Sequence, residues 1–343
     1  MNNKYINIVT SGDRAAYISI CALLNSIILN HKTNKKLRIY IVCESAIELN
    51  ELINRNCYVE SLTDKIRQDM AAKSNIKVIE PPNNIVEEII NKQSFKSGNI
   101  DYMKISKTFN APVSVYNFIR FYFPELLPDS VNKVIYLDTD MIVKGEIEEL
   151  FNLLEEKYEL GGVFCKFPYI ITKDRWIKPD YLSSFSRNNI FNAGMYVTYL
   201  NKWRENNYTH QCMSIVEANK SNNFYNGGTQ IPMNIVFSHS TQEIPQEWNQ
   251  TGLGEFKRPV SSEFETNIMN AKILHWTGGM KPWLSKKNDL YTHFAEQWYV
   301  YFNKEGVDLT SIQIRDDVNF KNRVLRLQKS IAGNITNIKT KIC

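Results

Sequence analysis

Short β-branched runs alternate with longer stretches of helical periodicity through the first half of the chain, and this restricts it to an α/β fold on a largely parallel sheet. Strands are expected at Tyr5–Val9, Leu37–Val42, Ile76–Ile79 and Val134–Leu137. Ala16, Ile20, Leu23, Leu24, Ile27 and Ile28 recur at helical spacing after the first strand, and Ile85, Val86, Ile89 and Ile90 do so further on. Each set makes one apolar face that can pack on a sheet. Pro81-Pro82 and the polar segment Lys92–Lys107 break the pattern and read as exposed loops.

Hydrophobic residues make up 43% of the 343 residues, enough for a large core in one broad domain. Apolar runs such as Ile6–Val9 and Ile39–Val42 fall far short of the ~20 residues that cross a bilayer, so no transmembrane helix is expected. Met1–Tyr5 leads straight into a strand without a signal-like apolar region, so a cytoplasmic location is expected. Cys21, Cys43, Cys57, Cys165, Cys212 and Cys343 form no CxxC pair and read as free, buried thiols. A net charge of +5 is too small for a dedicated nucleic-acid binder. It is concentrated in the tail, 311–343, where Lys321, Arg323, Arg326 and Lys329 alternate with Phe320, Val324, Leu327 and Ile331. That basic amphipathic stripe fits either an anionic membrane surface, on the inner face of the membrane, or a terminal helix packed on the domain.

Three segments carry candidate chemistry. Val134–Leu137 runs into Asp138-Thr139-Asp140, and two carboxylates just past an apolar strand can share a cation and its phosphate oxygens. In isolation such a pair is more often a solvated turn; its place at the carboxyl edge of a strand, where α/β ligands bind, raises its weight. Downstream lies His275-Trp276-Thr277-Gly278-Gly279-Met280-Lys281-Pro282-Trp283, with an imidazole suited to a borderline cation, a Gly-Gly turn and a lysine charge. A core histidine is the bland alternative. Thr10-Ser11-Gly12-Asp13, after the first strand, is a candidate nucleotide loop or simply a turn.

With these blocks in order, the chain resembles the retaining family 8 glycosyltransferases, which include bacterial lipopolysaccharide galactosyl- and glucosyltransferases and glycogenin. The matching blocks are Val134–Asp140, Glu149-Leu150-Phe151, Phe191-Asn192-Ala193-Gly194, Asn201-Lys202-Trp203 and the His275, Gly278, Lys281, Pro282, Trp283 pattern. The resemblance covers residues 5 to 300 in outline and implies a GT-A (Rossmann-like) nucleotide-sugar-binding fold with a mixed, mostly parallel central sheet. It implies a domain over 1–310, with 1–145 mainly binding nucleotide and 146–310 mainly forming the acceptor side.

The same resemblance implies that Asp138, Asp140 and His275 hold Mn²⁺, with Mg²⁺ as the alternative, beside Thr139. Gly278 and Lys281 would contact the diphosphate, Thr10, Ser11 and Asp13 the nucleotide, and Arg120 the neighbourhood of the donor, unless Arg120 makes a surface salt bridge. Asn192, with the Ala193-Gly194 backbone, would hold sugar hydroxyls, although these three residues also read as a turn entering a strand at Met195–Leu200. Gln230 would position or polarise near the anomeric carbon.

Departures from the family pattern are Thr229 and Ile231 where acids are usual, Cys165-Lys166 where an Asp often follows, and Arg14-Ala15-Ala16-Tyr17 after Asp13. The expected reaction is Mn²⁺-dependent transfer of a hexose, by default galactose or glucose, from a UDP-sugar to a glycan acceptor, which includes lipid-linked ones. A carbohydrate-binding relative without turnover and a metal-dependent nucleotidyltransferase are the alternatives. Tyr169, Trp176, Tyr181 and Trp248 are candidate stacking residues for acceptor sugars.

Overall fold

The computed structural model describes residues 4–56, 64–93, 114–165, 190–222, 225, 228–254, 261–278, 281–284 and 292–302. Nine strands are present among them: β1 (Tyr5–Gly12), β2 (Lys36–Cys43), β3 (Ser74–Ile79), β4 (Lys133–Leu137), β5 (Met141–Val143), β6 (Leu160–Phe164), β7 (Phe191–Tyr199), β8 (Thr241–Glu243) and β9 (Ile273–His275). Seven form one sheet in the order β3-β2-β1-β4-β7-β6-β8, and β5 pairs with β9 in a second, two-stranded sheet. The large sheet is parallel except where β7 runs antiparallel to β4 and β6. The expected mixed, mostly parallel α/β fold is therefore the one the chain adopts.

The central strands are apolar on both faces because both faces are covered. Ile6 and Ile8 of β1, Leu37, Ile39 and Ile41 of β2, and Ile135 and Leu137 of β4 enter one core cluster. The alternate residues Val9, Tyr40, Val42, Val134 and Tyr136 enter a second with Phe118, Ile119, Phe121, Tyr122 and Phe123. On the first face, the helix Tyr17–Asn30 is buried on nearly all sides, with only Ile18 and Asn30 less than fully covered. Its polar residues are consequently spoken for: Ser26 Oγ accepts from the Val143 N–H at 2.9 Å, while Asn25 Nδ2 donates to Tyr301 O and Asn30 Nδ2 to Val143 O, both at 2.9 Å.

Several local expectations change. β1 continues through Thr10, Ser11 and Gly12 because those residues pair in register with Ile41, Val42 and Cys43. Only Asp13 lies beyond the strand end. Likewise Asn192, Ala193 and Gly194 are strand residues of β7 and not a turn before it. Pro81 is buried, Pro82 caps the helix Asn83–Lys92, and Lys92 and the buried Gln93 close that helix, so none of this part is an exposed loop except Pro82. Trp248 is buried in the core, at 1% exposure, and is no platform for an acceptor sugar. Cys21, Cys43 and Cys212 are free and buried, and Cys165 is free and partly exposed.

Tyr169, Trp176, Tyr181, Cys57, Cys343, Lys166, residues 94–107 and the tail 311–343 lie outside the described residues. Among the described residues, no helix is long and apolar enough to cross a membrane.

Candidate active site

The strand order reverses between β1 and β4, because the chain builds β2 and β3 outward on one side before β4 returns to the other side of β1. A crevice at the carboxyl ends of these strands is the usual ligand position in open α/β sheets. Asp13 sits at the end of β1, where one oxygen of its carboxylate accepts from the Ala15 N–H at 3.1 Å. Gly12 lets that strand end lie close to both Ala16 and the Asp138-Thr139-Asp140 (DxD) turn: a Cβ there would stand 2.7 Å from Ala16 Cβ and 3.3 Å from Thr139 Cγ2. Thr10 is buried at 1% exposure, and Ser11 Oγ donates to Tyr116 O at 2.9 Å. These two residues thus line the strand end from within the sheet.

Asp138 directly follows β4, and its N–H donates to Gly194 O at 2.7 Å, which fastens the turn to β7. Its Oδ1 is held from below by Arg120 Nη2 at 2.8 Å and by the hydroxyl of Tyr136. Arg120 is no surface residue. It is 4% exposed, with Nη1 donating to Ala193 O at 2.6 Å, Nε to Asn117 O at 2.8 Å, and its guanidinium 4.5 Å from the centre of the Tyr136 ring. Burial acts to lower the Arg120 pKa, but the Asp138 carboxylate outweighs it and keeps the guanidinium charged. Burial pushes the Tyr136 phenol well above its ordinary value, so its hydroxyl serves as a donor. With Oδ1 occupied, Oδ2 is the atom Asp138 turns to the crevice.

The β5–β9 ladder supplies the second half of the site. Met141 is paired with His275, and Trp276 N–H donates to Asp140 O at 3.0 Å, so the distant His275 segment lies directly on the DxD turn. His275, 3% exposed, has Nε2 at 3.2 Å from Asp140 Oδ1 and 3.9 Å from Asp138 Oδ2. Lys281 Nζ donates to Asp140 Oδ2 at 2.5 Å and to Trp276 O at 2.8 Å. Burial acts to raise the Asp140 pKa, yet the charge of Lys281, with the contacts of Lys281 and the His275 ring, outweighs it and holds the carboxyl well below the usual range. Gly278, between these residues, has φ 97°, a left-handed conformation that favours glycine.

Asp138, Asp140 and His275 each offer one ligand atom, all within 4.8 Å of one another. Two carboxylate oxygens and one imidazole nitrogen, converging in a half-buried cluster, are a donor set that suits a borderline divalent cation. The residues present therefore fit a divalent ion.

The sugar-facing candidates meet beside this triad. Gln230 begins the helix Gln230–Val236, and its Oε1 accepts from Asn192 Nδ2 at 3.3 Å and from the Ala193 N–H at 3.4 Å. Asn249, which the sequence reading passed over, connects the two groups: Nδ2 donates to Asn192 Oδ1 at 3.1 Å, and Oδ1 is 2.9 Å from His275 Nδ1. Its only sequence signal is the position just after Trp248, in a segment whose Gln250 bridges to Leu274 beside His275.

Gly194 is the tightest point. A Cβ there would clash with His275 Cε1 and stand 2.7 Å from Asp138 Oδ2. Gly194→Ala is accordingly expected to leave the sheet folded by circular dichroism but to weaken any divalent-cation binding by the triad at least tenfold, because either His275 or Asp138 must move. An unchanged Mn²⁺ titration would show that the three residues are not used together.

The chain is similar to two solved structures that share this architecture. One is the apo structure of the bifunctional glycosyltransferase WbbM, 19% identical with a TM-score of 0.62, covering 88% of this chain and 50% of that one. The other is the galactosyltransferase LgtC in complex with donor and acceptor sugar analogs, 17% identical with a TM-score of 0.58, covering 93% of this chain and 100% of that one. The fold is that of the GT-A glycosyltransferases, with a carboxylate–histidine cluster at the switch point of its sheet.

The model of glycosyl transferase family 8 matches residues 7–287, and the chain belongs to that family. A curated relative, the probable galacturonosyltransferase-like 4 of Arabidopsis thaliana, is 29% identical over 217 residues, which cover 59% of this chain and 60% of the relative. The chain thus spans between half and three fifths of the length of the curated relatives it matches first.

Proposed function

We propose that this protein is a retaining hexosyltransferase that moves galactose or glucose from a UDP-sugar to a glycan acceptor in surface polysaccharide or glycoconjugate assembly, with Mn²⁺ as its cation and Mg²⁺ as the alternative. The observation that carries the reading is the meeting of Asp138, Asp140, His275 and Lys281 at the carboxyl ends of β1 and β4. The galacto configuration named in both the Arabidopsis relative and LgtC supports galactose ahead of glucose.

A bound divalent cation would supply Lewis-acid stabilisation of the charge that grows on the departing diphosphate. The chain's own residues do the remaining work. Lys281, already at the rim of the crevice with its charge on Asp140, can turn to a diphosphate oxygen, and the Gly278 backbone allows close approach beside it. Asp13 and Thr139 would face the nucleotide end, with Thr10 and Ser11 behind them at the end of β1, and Arg120 acts through Asp138 and the Ala193 carbonyl. Asn192 and the Ala193-Gly194 strand offer polar groups and open backbone to the sugar ring.

Thr229 and Ile231 flank Gln230 without a carboxyl group and are themselves buried, at 6% and 3% exposure. An amide is a poor nucleophile, so retention is best served by front-face transfer, in which the leaving phosphate takes the proton of the incoming hydroxyl. Gln230 then orients. Gln230→Ala is expected to lower kcat about tenfold to a hundredfold while Mn²⁺ affinity stays at the wild-type value. Equal kcat in the variant would remove Gln230 from the reaction.

A domain over 1–310, a lipid-linked acceptor and contact of the 320–331 stripe with an anionic membrane belong to the same proposal, supported by the sequence pattern. The test of the whole reading is a panel of nucleotide sugars with purified protein and Mn²⁺, following nucleoside diphosphate release with and without chelator. Chelator-sensitive release from one UDP-hexose is expected. A folded protein that releases nothing from any donor in the presence of acceptor glycans would favour a carbohydrate-binding role.

A further inference from the structure

A chain of side-chain amides runs from His275 to Gln230, and the backbone dictates its hydrogen-bond polarity. The Gly194 N–H donates to Asn192 Oδ1 at 3.0 Å. A main-chain N–H can only donate, so that atom of Asn192 is its carbonyl oxygen. Asn249 meets the same oxygen at 3.1 Å and must do so with its Nδ2 group. Its own oxygen is thereby turned to His275 Nδ1, 2.9 Å away. An amide oxygen only accepts, so the proton of that contact sits on Nδ1. In the other direction, Asn192 Nδ2 donates to Gln230 Oε1 at 3.3 Å, which the Ala193 N–H also reaches. Asn249 is fully buried, and a flipped amide would set two oxygens against each other with no water to relieve them.

We propose that Asn249 is a positioning residue that fixes the tautomer of His275, keeping the proton on Nδ1 and leaving the Nε2 lone pair free for a cation that Asp138 and Asp140 would share. Through Asn192 it also ties the cation-holding triad to the amide of Gln230. The inference rests on reading that triad as a cation site. Its physical content is that the strand backbone at Gly194, by donating one hydrogen bond, sets the direction of every bond in the relay.

Two variants separate the links. Asn249→Leu removes both, and Mn²⁺ affinity, read from the free-ion electron paramagnetic resonance signal in a titration, is expected to fall about 10–100-fold. Asn249→Asp keeps an oxygen for Nδ1–H but faces Asn192 Oδ1 with a second oxygen. It should bind Mn²⁺ within a few-fold of wild type and lose kcat. Nitrogen-15 ring spectra of the Mg²⁺-loaded wild type, with His275 assigned among the five histidines by its loss in His275→Asn, should show the proton on Nδ1.

A proton on Nε2, wild-type Mn²⁺ affinity in folded Asn249→Leu, or an equal loss of affinity in Asn249→Asp and Asn249→Leu would each overturn the proposal. The ring spectrum needs no variant at position 249, and Asn249→Asp is nearly isosteric, so the test survives if Asn249→Leu does not fold. Asn249-dependent Mn²⁺ binding in a protein that releases no nucleotide would support the tautomer assignment and overturn the transferase reading.

Discussion

Asp140→Asn is expected to reduce transfer by about 10³-fold or more and to abolish tight Mn²⁺ binding, with the fold retained. The substitution keeps the shape of the side chain and removes one negative charge from a place where the Lys281 ammonium and a ring nitrogen of His275 already converge on it. Without that charge the crevice would lose its hold on a divalent ion, and such an ion at the leaving group would contribute several kcal/mol, about tenfold in rate for each 1.36 kcal/mol. Lys281 would also lose the partner that stations it at the rim. The measurement is nucleoside diphosphate release across Mn²⁺ concentrations, beside circular dichroism. Wild-type turnover in the variant, or wild-type turnover of the native protein in excess chelator, would end the metal-dependent reading.

Arg120→Met should have its largest effect on stability. Arg120 is buried and its guanidinium holds the Asp138 carboxylate, the Ala193 carbonyl and the Asn117 carbonyl at once. Removing one partner of a buried pair leaves the other uncompensated, at a cost of about 3–5 kcal/mol. Much of that cost comes from the stranded acceptors, so the double variant Arg120→Met with Asp138→Asn should be less unstable than the sum of its parts. Denaturant midpoints for the four members of the cycle decide it. Additive losses, or a single variant as stable as wild type, would show that Arg120 does not underpin the DxD turn.

β4, buried on both faces, was legible as an unbroken apolar run, and β1 and β2 as nearly unbroken ones; β3, at the sheet edge and never fully buried, was legible from its β-branched residues, and all four contain the expected segments. β5 and β9 were not, since three residues carry no periodicity and these strands exist only because each pairs with the other. Asn192-Ala193-Gly194 misled for a different reason. Asn and Gly are turn formers, but here the small residue in a strand makes room for His275 and Asp138, so tertiary packing overrides local preference.

At the site, Asp138 and Asp140 could be found from their position after an apolar strand, and His275 with Lys281 from their family pattern. The burial of Arg120 and the place of Asn249 had no such signal. Arg120 sits in a run of aromatics that gives no hint of a carboxylate below it, and Asn249 belongs to a turn whose partners are brought by β9.

The three-rung ladder between β5 and β9 also has a consequence in time. One side of the cluster is encoded near residue 140 and the other near residue 275, so a growing polypeptide leaving the ribosome carries the carboxylates long before the imidazole exists. Capture of an ion by all three residues would therefore have to follow the non-local strand pairing that slows folding in such topologies.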